Sequence, residues 1–143
     1  MAPLSIYLDA SVVVPLFLID SFVSRARVFL AATTSVLIVS DFVAAEFASV
    51  VGIRLRMKTL TLAEARRAFA SFDAWIGAKT TPAATLAVDV QTATGFLRRL
   101  DLSLRAPDAI NLAIAQRLGA EAATFDGKMA ASARKLGIPL AQV

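Results

Sequence analysis

Cysteine and histidine are both absent from the 143 residues. Without them there is no Ser-His-Asp triad, no thiolate nucleophile, no imidazole base and no ordinary structural zinc site. Any catalysis must run on carboxylates, hydroxyls, Lys, Arg and metal. The missing cysteines also remove disulfides from the stability argument and accord with a reducing compartment. One Trp and one Tyr provide few aromatic platforms, and a chain of this size is small for a sugar cleft, which argues against a glycosidase. Long apolar runs are lacking as well. The longest uncharged stretch, Val28 to Ser40, holds 13 residues, whereas a spanning helix needs roughly 18 or more. No Lys or Arg precedes the first apolar run, and Asp9 interrupts it, which is unlike a secretory signal. The expectation is a cytoplasmic protein with no membrane span.

What is present in excess is apolar surface. Hydrophobic residues make up 57% of the sequence and mean hydropathy is +0.68, more than a small domain needs to fill its interior. The surplus is expected at protein-protein contacts, in an oligomer or against an obligate partner. The length suits a single domain over residues 1–143.

Along the chain, strand and helix patterns alternate. Leu4–Leu8 reads as a strand ending at Asp9, followed by a long apolar helical stretch carrying Arg25 and Arg27 near its end. Val36–Val39 is a β-branched strand, and Ser40 offers an N-cap to a helix reaching about Lys58. Thr61 and Glu64 have capping-box spacing ahead of a helix over Leu62–Trp75. Thr80-Thr81-Pro82 reads as a turn, Leu86-Ala87-Val88 as a brief strand, and Val90–Leu100 as a helix. Pro107 opens a helix that ends near Gly119. Ala120–Phe125 is a strand, Asp126-Gly127 opens a helix closed by Gly137, and Ile138–Leu140 is a last short strand. Strands apolar on both faces, alternating with helices, predict an α/β fold with a parallel sheet covered on both sides.

Three acids fall where an open α/β sheet places its chemistry, at strand C-terminal ends and in the first turns of helices: Asp9, Asp108 and Asp126. Glu46 lies inside the apolar helical run Phe42–Val51, with no cation three or four residues away. An ionised carboxylate there needs something positive to meet it. Ordinary roles are open to each acid: helix capping for Asp126, a favourable dipole charge for Asp108, a rim position for Glu46. Asp41 is assigned to capping, and Asp20, Asp73, Asp89, Asp101, Glu64 and Glu121 to solvated positions. Two carboxylates about 4 Å apart repel by about 4 kcal/mol at an effective dielectric near 20. Four in one crevice therefore need protons or cations, and hard oxygen donors without His or Cys select Mg²⁺ or Mn²⁺.

These residues resemble the PIN domain family, and within it the VapC-type toxins. The likeness is carried by Tyr7-Leu8-Asp9-Ala10-Ser11, Val43-Ala44-Ala45-Glu46, the run Arg105–Ala115, Thr124-Phe125-Asp126 and the closing Ala133–Ile138, in that order and over nearly the whole chain. A haloacid-dehalogenase-type phosphatase also starts with an Asp after an apolar strand, but it needs a second Asp two residues on, where this chain has Ser11. The resemblance implies a three-layer fold with a five-stranded parallel sheet of order 3-2-1-4-5, a Mg²⁺ or Mn²⁺ site, and endonucleolytic cleavage of RNA. Asp9, Glu46 and Asp108 match the family's core acids and Asp126 its more variable fourth. Ser11 and Thr124 match hydroxyl positions that hold a water or ligand, with local turn or cap bonding equally open to them. It also implies a toxin held by a small antitoxin, and a homodimer. Residues 12–30 and 42–55 are expected to form a groove for an amphipathic partner helix. A catalytically silent PIN-like module for RNA or protein binding is the alternative.

Charge fits RNA. Outside the four acids, seven Asp and Glu stand against 15 Lys and Arg, a net +8 around an acidic centre. Candidate phosphate contacts are Arg54, Arg56, Lys58, Arg98, Arg99 and Arg105, although cations at helix C-termini also serve the helix dipole.

Overall fold

The structure is a computed structural model and describes residues 4–143. Its strands are β1 (Ser5–Leu8), β2 (Val36–Ser40), β3 (Thr81–Ala83) and β4 (Glu121–Ala123), joined in one parallel sheet of order β3-β2-β1-β4. Ile6 faces Leu37 on one side and Glu121 on the other, and Ile38 faces Thr81. The helices are α1 (Ala10–Val13), α2 (Val23–Ala32), α3 (Asp41–Arg56), α4 (Leu62–Lys79), α5 (Ala87–Arg98), α6 (Ala106–Leu118) and α7 (Gly127–Leu136). No helix among the described residues is long and apolar enough to cross a membrane.

The expected parallel α/β architecture is present, with four strands where five were expected. Residues 138–140 lie beside β4, the outer place in the expected order, but pair through a single bridge between Ala122 and Leu140. Two local facts stop the ladder. The Ile138 amide is committed to the Ala133 carbonyl at the end of α7, and Pro139 has no N–H to give.

Two other expectations are corrected. The third strand is Thr81–Ala83, in place of the expected turn, and Leu86-Ala87-Val88 enters helix α5. Pro82 is tolerated in β3 because the strand lies at the sheet edge and pairs on one side only. Leu86 is drawn into the helix start because its amide donates to Asp89 Oδ2 at 2.8 Å. The long helix expected after Asp9 is broken into α1, a 3₁₀ turn over Val14–Leu16 that contains Pro15, and α2. Between them the Phe22 amide donates to Asp20 Oδ1 at 2.7 Å, closing a local turn.

Local signals elsewhere act as the sequence predicts. Ser40 accepts the Val43 amide at the start of α3, and Thr61 and Glu64 form a reciprocal capping box at α4. Gly119 and Gly137 close α6 and α7 at φ +64° and +72°, a conformation that costs glycine nothing.

Much of the apolar surplus is spent inside the chain. Phe17 meets Phe47, Phe72 and Trp75 edge-on, with centroids 5.6–5.7 Å apart, and Phe47 stacks on Phe72 at 4.4 Å. Val12, Val13, Val14, Leu18 and Phe29, and likewise Val43, Phe47 and Val51, are buried in this core. Those side chains are therefore not available to a partner helix. Ile19, 92% exposed, and Val28 are left outward.

Candidate active site

The first strand ends on an acid that does not cap its own helix. Asp9 occupies the N-cap position of α1 without a side-chain bond to it. Both of its carboxylate oxygens are instead held by hydroxyls: Ser11 Oγ donates to Oδ1 at 2.6 Å and Thr124 Oγ1 donates to Oδ2 at 2.7 Å. Each hydroxyl is in turn an acceptor, Ser11 from the Phe125 amide at 2.8 Å and Thr124 from the Asp126 amide at 3.0 Å. Backbone amides after β4 thus polarise two hydroxyls toward a carboxylate after β1, stitching the two strand ends together. Asp9 is 5% exposed. Burial lifts its pKa from the usual 3.8 to about 6, against the lowering effect of the hydroxyl bonds.

Glu46 projects from the second turn of α3 and is half-buried. Its Oε1 accepts from Asn111 Nδ2 at 2.7 Å, and Asn111 Oδ1 accepts from the Tyr7 hydroxyl at 2.5 Å. Since the single Tyr7 proton goes to Asn111, the 2.7 Å contact between Tyr7 and Ser40 must have Ser40 Oγ as donor, and Ser40 Oγ accepts the Val43 amide. Every direction in this buried chain is fixed, so the Asn111 amide is oriented with its N–H toward Glu46. Tyr7, Ser40 and Asn111 are all at most 3% exposed. Burial pushes the Tyr7 phenol up, and the charges of Glu46 and Asp9 add to the push. Burial also raises Glu46, partly offset by Asn111, with Asp9 and Asp108 raising it further.

Asp108 stands in the first turn of α6, where its Oδ2 accepts the Arg105 amide at 3.2 Å. This is half of a capping box, because an arginine at the N-cap cannot accept in return. Burial raises Asp108, as does the charge of Asp126, while the Arg105 amide bond and charge lower it. Asp126 takes the ordinary role open to it: its Oδ1 caps α7, accepting from Lys128 and Met129 amides at 2.9 and 3.1 Å.

The four acids, from β1, α3, α6 and the turn after β4, therefore share one end of the sheet and feel one another's charge. Among the described residues, no three of them stand close enough to grip a single ion as placed. Nor does any of them form a salt bridge with Lys or Arg among those residues. A set of hard oxygen donors, three of them pushed upward and none in a salt bridge among the described residues, is in kind the donor set that suits Mg²⁺ or Mn²⁺.

The candidate phosphate contacts divide. Arg54 and Arg56 lie in the last turn of α3, eight and ten residues past Glu46, which is about 12–15 Å along the helix axis, and Lys58 lies beyond. The Arg54 guanidinium donates to the Ile19 carbonyl at 2.8 Å. Arg98 and Arg99 close α5, and Arg105 precedes Asp108; Arg99 is paired with Asp101 at 2.9 Å.

Sequence reasoning missed the Tyr7, Ser40 and Asn111 support of Glu46; an Asn within the apolar face of a helix was its one visible trace. It also placed Asp89 in solvent. Asp89 is 1% exposed and takes both Arg117 Nε at 2.7 Å and Nη2 at 3.0 Å, pinning the start of α5 to the end of α6. Burial pulls Asp89 up, but the Arg117 bonds and charge and the Leu86 amide hold it below the usual carboxylate range. Asp41 lies outside its assigned capping role as well: Oδ1 accepts the Thr85 amide and hydroxyl, holding the loop after β3.

Residues 6–135 match the family model of the PIN domain. A search of curated proteins finds no match. Among solved structures, the chain is similar to VapC20 of Mycobacterium tuberculosis, a toxin that cleaves the sarcin-ricin loop, at 22% identity and TM-score 0.71 over 89% of this chain and 94% of that one. FitAcB of Neisseria gonorrhoeae gives 15% and 0.71 over 96% of each chain. VapBC2 of Rickettsia felis, bound to a DNA fragment from its promoter, gives 15% and 0.67 over 96% and 98%. At such identities these structures speak for the fold, and the family match covers all four acid positions. The chain belongs to the PIN domain family.

Proposed function

We propose that this protein is a metal-dependent endoribonuclease acting as the toxin of a toxin-antitoxin pair. The observation that carries this reading is a set of acids from distant parts of the chain at one end of a parallel sheet, one of them buried and raised to about 6, with none of them in a salt bridge among the described residues. Support for the toxin role comes from the fold neighbours: VapC20 is a toxin that cleaves the sarcin-ricin loop, and another similar structure is a toxin-antitoxin complex from Klebsiella pneumoniae.

In this reading Asp9, Asp108 and Asp126 hold Mg²⁺ or Mn²⁺, and Glu46 completes the set or orients the attacking water. When bound, the ion supplies an activated water and neutralises charge developing on the phosphate. The chain's own residues do the positioning. Ser11 and Thr124 fix the rotation of the Asp9 carboxylate through two donated bonds. Asn111 leaves Glu46 Oε2 facing away from its own bond, so that one oxygen is anchored and the other is available to accept a proton from water. An antitoxin that covers this acidic end, and a homodimer beneath it, belong to the same proposal.

The test is cleavage of a mixed RNA pool with Mg²⁺ or Mn²⁺, using wild type, Asp9→Asn and Asp108→Asn proteins whose folding is verified by circular dichroism. Cleavage by wild type that is lost in both variants is expected. Wild type that binds Mn²⁺ yet cuts nothing would replace this reading with the silent binding module.

A further inference from the structure

Beside Asp126 the surface opens into a cleft of about 770 Å³ that the acid site does not account for, with Thr124, Phe125 and Asp126 on one wall and Arg25, Ala130 and Arg134 among the others. The size is that of a ligand pocket. Two of its wall residues already serve the acids: Thr124 holds Asp9, and Asp126 is one of the four. Between them, Phe125 is fixed by its amide bond to Ser11 Oγ. Its ring stacks on Phe22 with centroids 5.0 Å apart and planes 9° from parallel. The Arg25 guanidinium lies 4.7 Å from the Phe125 centroid and 5.5 Å from that of Phe22, and donates to the Val143 carbonyl at 3.3 Å. The result is a pre-ordered platform of two rings and a guanidinium, immediately beyond the acid end of β4.

Two cations and two acids line the cleft, so its charges balance and the preference for a nucleotide rests on the ring and guanidinium beside an exposed cation. Arg25 and Arg134 are exposed and neither forms a salt bridge among the described residues. The cleft also contains Glu121, at the opposite end of β4 from Asp126, so the two cations face a cavity with an acid at each end. A polyanion entering there meets cations flanked by aromatic faces, the pairing by which single strands are held: backbone on Arg, bases on rings or guanidinium planes. A duplex buries its base faces and has nothing to offer such a platform.

We propose that this cleft binds the nucleotide of single-stranded RNA that flanks the scissile phosphate, its base stacked against Phe125 and Arg25, which Phe22 backs from outside the cleft, and its phosphate met by Arg134. This rests on the nuclease reading above and adds a substrate subsite to it.

The test is fluorescence anisotropy of a 5′-fluorescein oligouridylate twelve-mer in EDTA, at several salt concentrations, with cleavage of unlabelled RNA in Mn²⁺ measured in parallel. Phe125→Leu is expected to weaken binding about five-fold or more without changing the salt slope, since stacking is lost and charge is not. Arg134→Gln is expected to lower the slope of log K against log salt by about 0.7, one phosphate contact on a single strand. It changes an exposed side chain and leaves the core intact even if Phe125→Leu melts early. Wild type that binds and cleaves while both variants bind with its affinity and slope overturns the subsite and leaves the nuclease reading standing. Wild type that neither binds nor cleaves overturns both. A poly-glutamate peptide that binds more tightly than the oligomer, with the same dependence on Phe125 and Arg134, overturns it in favour of a protein partner.

Discussion

Replacing Asp9 by Asn should stabilise the protein above neutrality when divalent ions are absent, and should stop doing so in acid. Burial raises the Asp9 pKa from 3.8 to about 6, a rise of roughly two units and, at 1.36 kcal/mol per unit, a difference of about 3 kcal/mol. The sign follows from proton binding. The native state holds the Asp9 proton more tightly than the unfolded chain, so its contribution is fully present below about pH 4, falls as pH rises through about 6, and is gone by pH 7. Asn carries no charge and escapes that loss. It also loses something, since both Ser11 and Thr124 donate to Asp9 and an amide nitrogen cannot accept. The two hydroxyls lie 3.3 Å apart, so one can turn its proton to the other, which limits the loss to about 1 kcal/mol. The net gain at pH 8 is then about 2 kcal/mol, or a melting temperature higher by about 4–8 °C for a chain of this size. Urea and thermal unfolding followed by circular dichroism from pH 4 to 8 in EDTA reads this directly. A variant no more stable than wild type at pH 8, or a difference that does not change with pH, would refute the electrostatic account of the site. Adding Mn²⁺ at a hundred times its Kd should return about 2.7 kcal/mol to wild type and much less to the variant.

Other perturbations probe the surroundings. Asn111→Leu strips Glu46 of its donor and Tyr7 of its acceptor; unfolding free energy should drop by about 2–3 kcal/mol and RNA cleavage by about ten-fold or more. Arg117→Met leaves Asp89 buried and unpaired, which should destabilise the chain by about 3–5 kcal/mol in urea titrations. Adding Asp89→Leu to it should recover most of that loss. Leu100 sits at φ +64° and is 90% exposed, so Leu100→Gly should gain about 0.5–1 kcal/mol, seen as a higher melting temperature. If the melting temperature falls instead, the Leu100 side chain has a packing role that its exposure conceals.

What could be read in the sequence was what short-range physics decides. Val36–Ser40 is β-branched and then capped, Thr61 and Glu64 sit at the spacing that lets each satisfy the other, and Gly119 and Gly137 stand where helices must turn left-handed; each is settled within a few residues. The acids were visible for a related reason, as charges out of place at strand ends or in an apolar helix. What escaped was decided across the chain. Tyr7 and Asn111 are 104 residues apart, and nothing local marks a tyrosine inside an apolar strand as one link of a buried polar chain. Asp89 looked solvated because its partner, Arg117, comes 28 residues later. The β3 error has the same origin. Pro82 argues against a strand on local grounds, and only the sheet edge, a property of the assembled fold, makes room for it.

The central place of β1 has a consequence in time. Its neighbour β2 follows within some thirty residues, but β4 on its other flank, and Thr124 that holds Asp9, are made 115 residues later. At a ribosome's pace of 5–20 residues per second, Asp9 waits roughly 6–23 s for that hydroxyl. Until β4 is made, Ser11 holds the Asp9 carboxylate through Oδ1 while Oδ2 lacks its Thr124 donor, so the rotation of the first acid is fixed only when that strand joins the sheet.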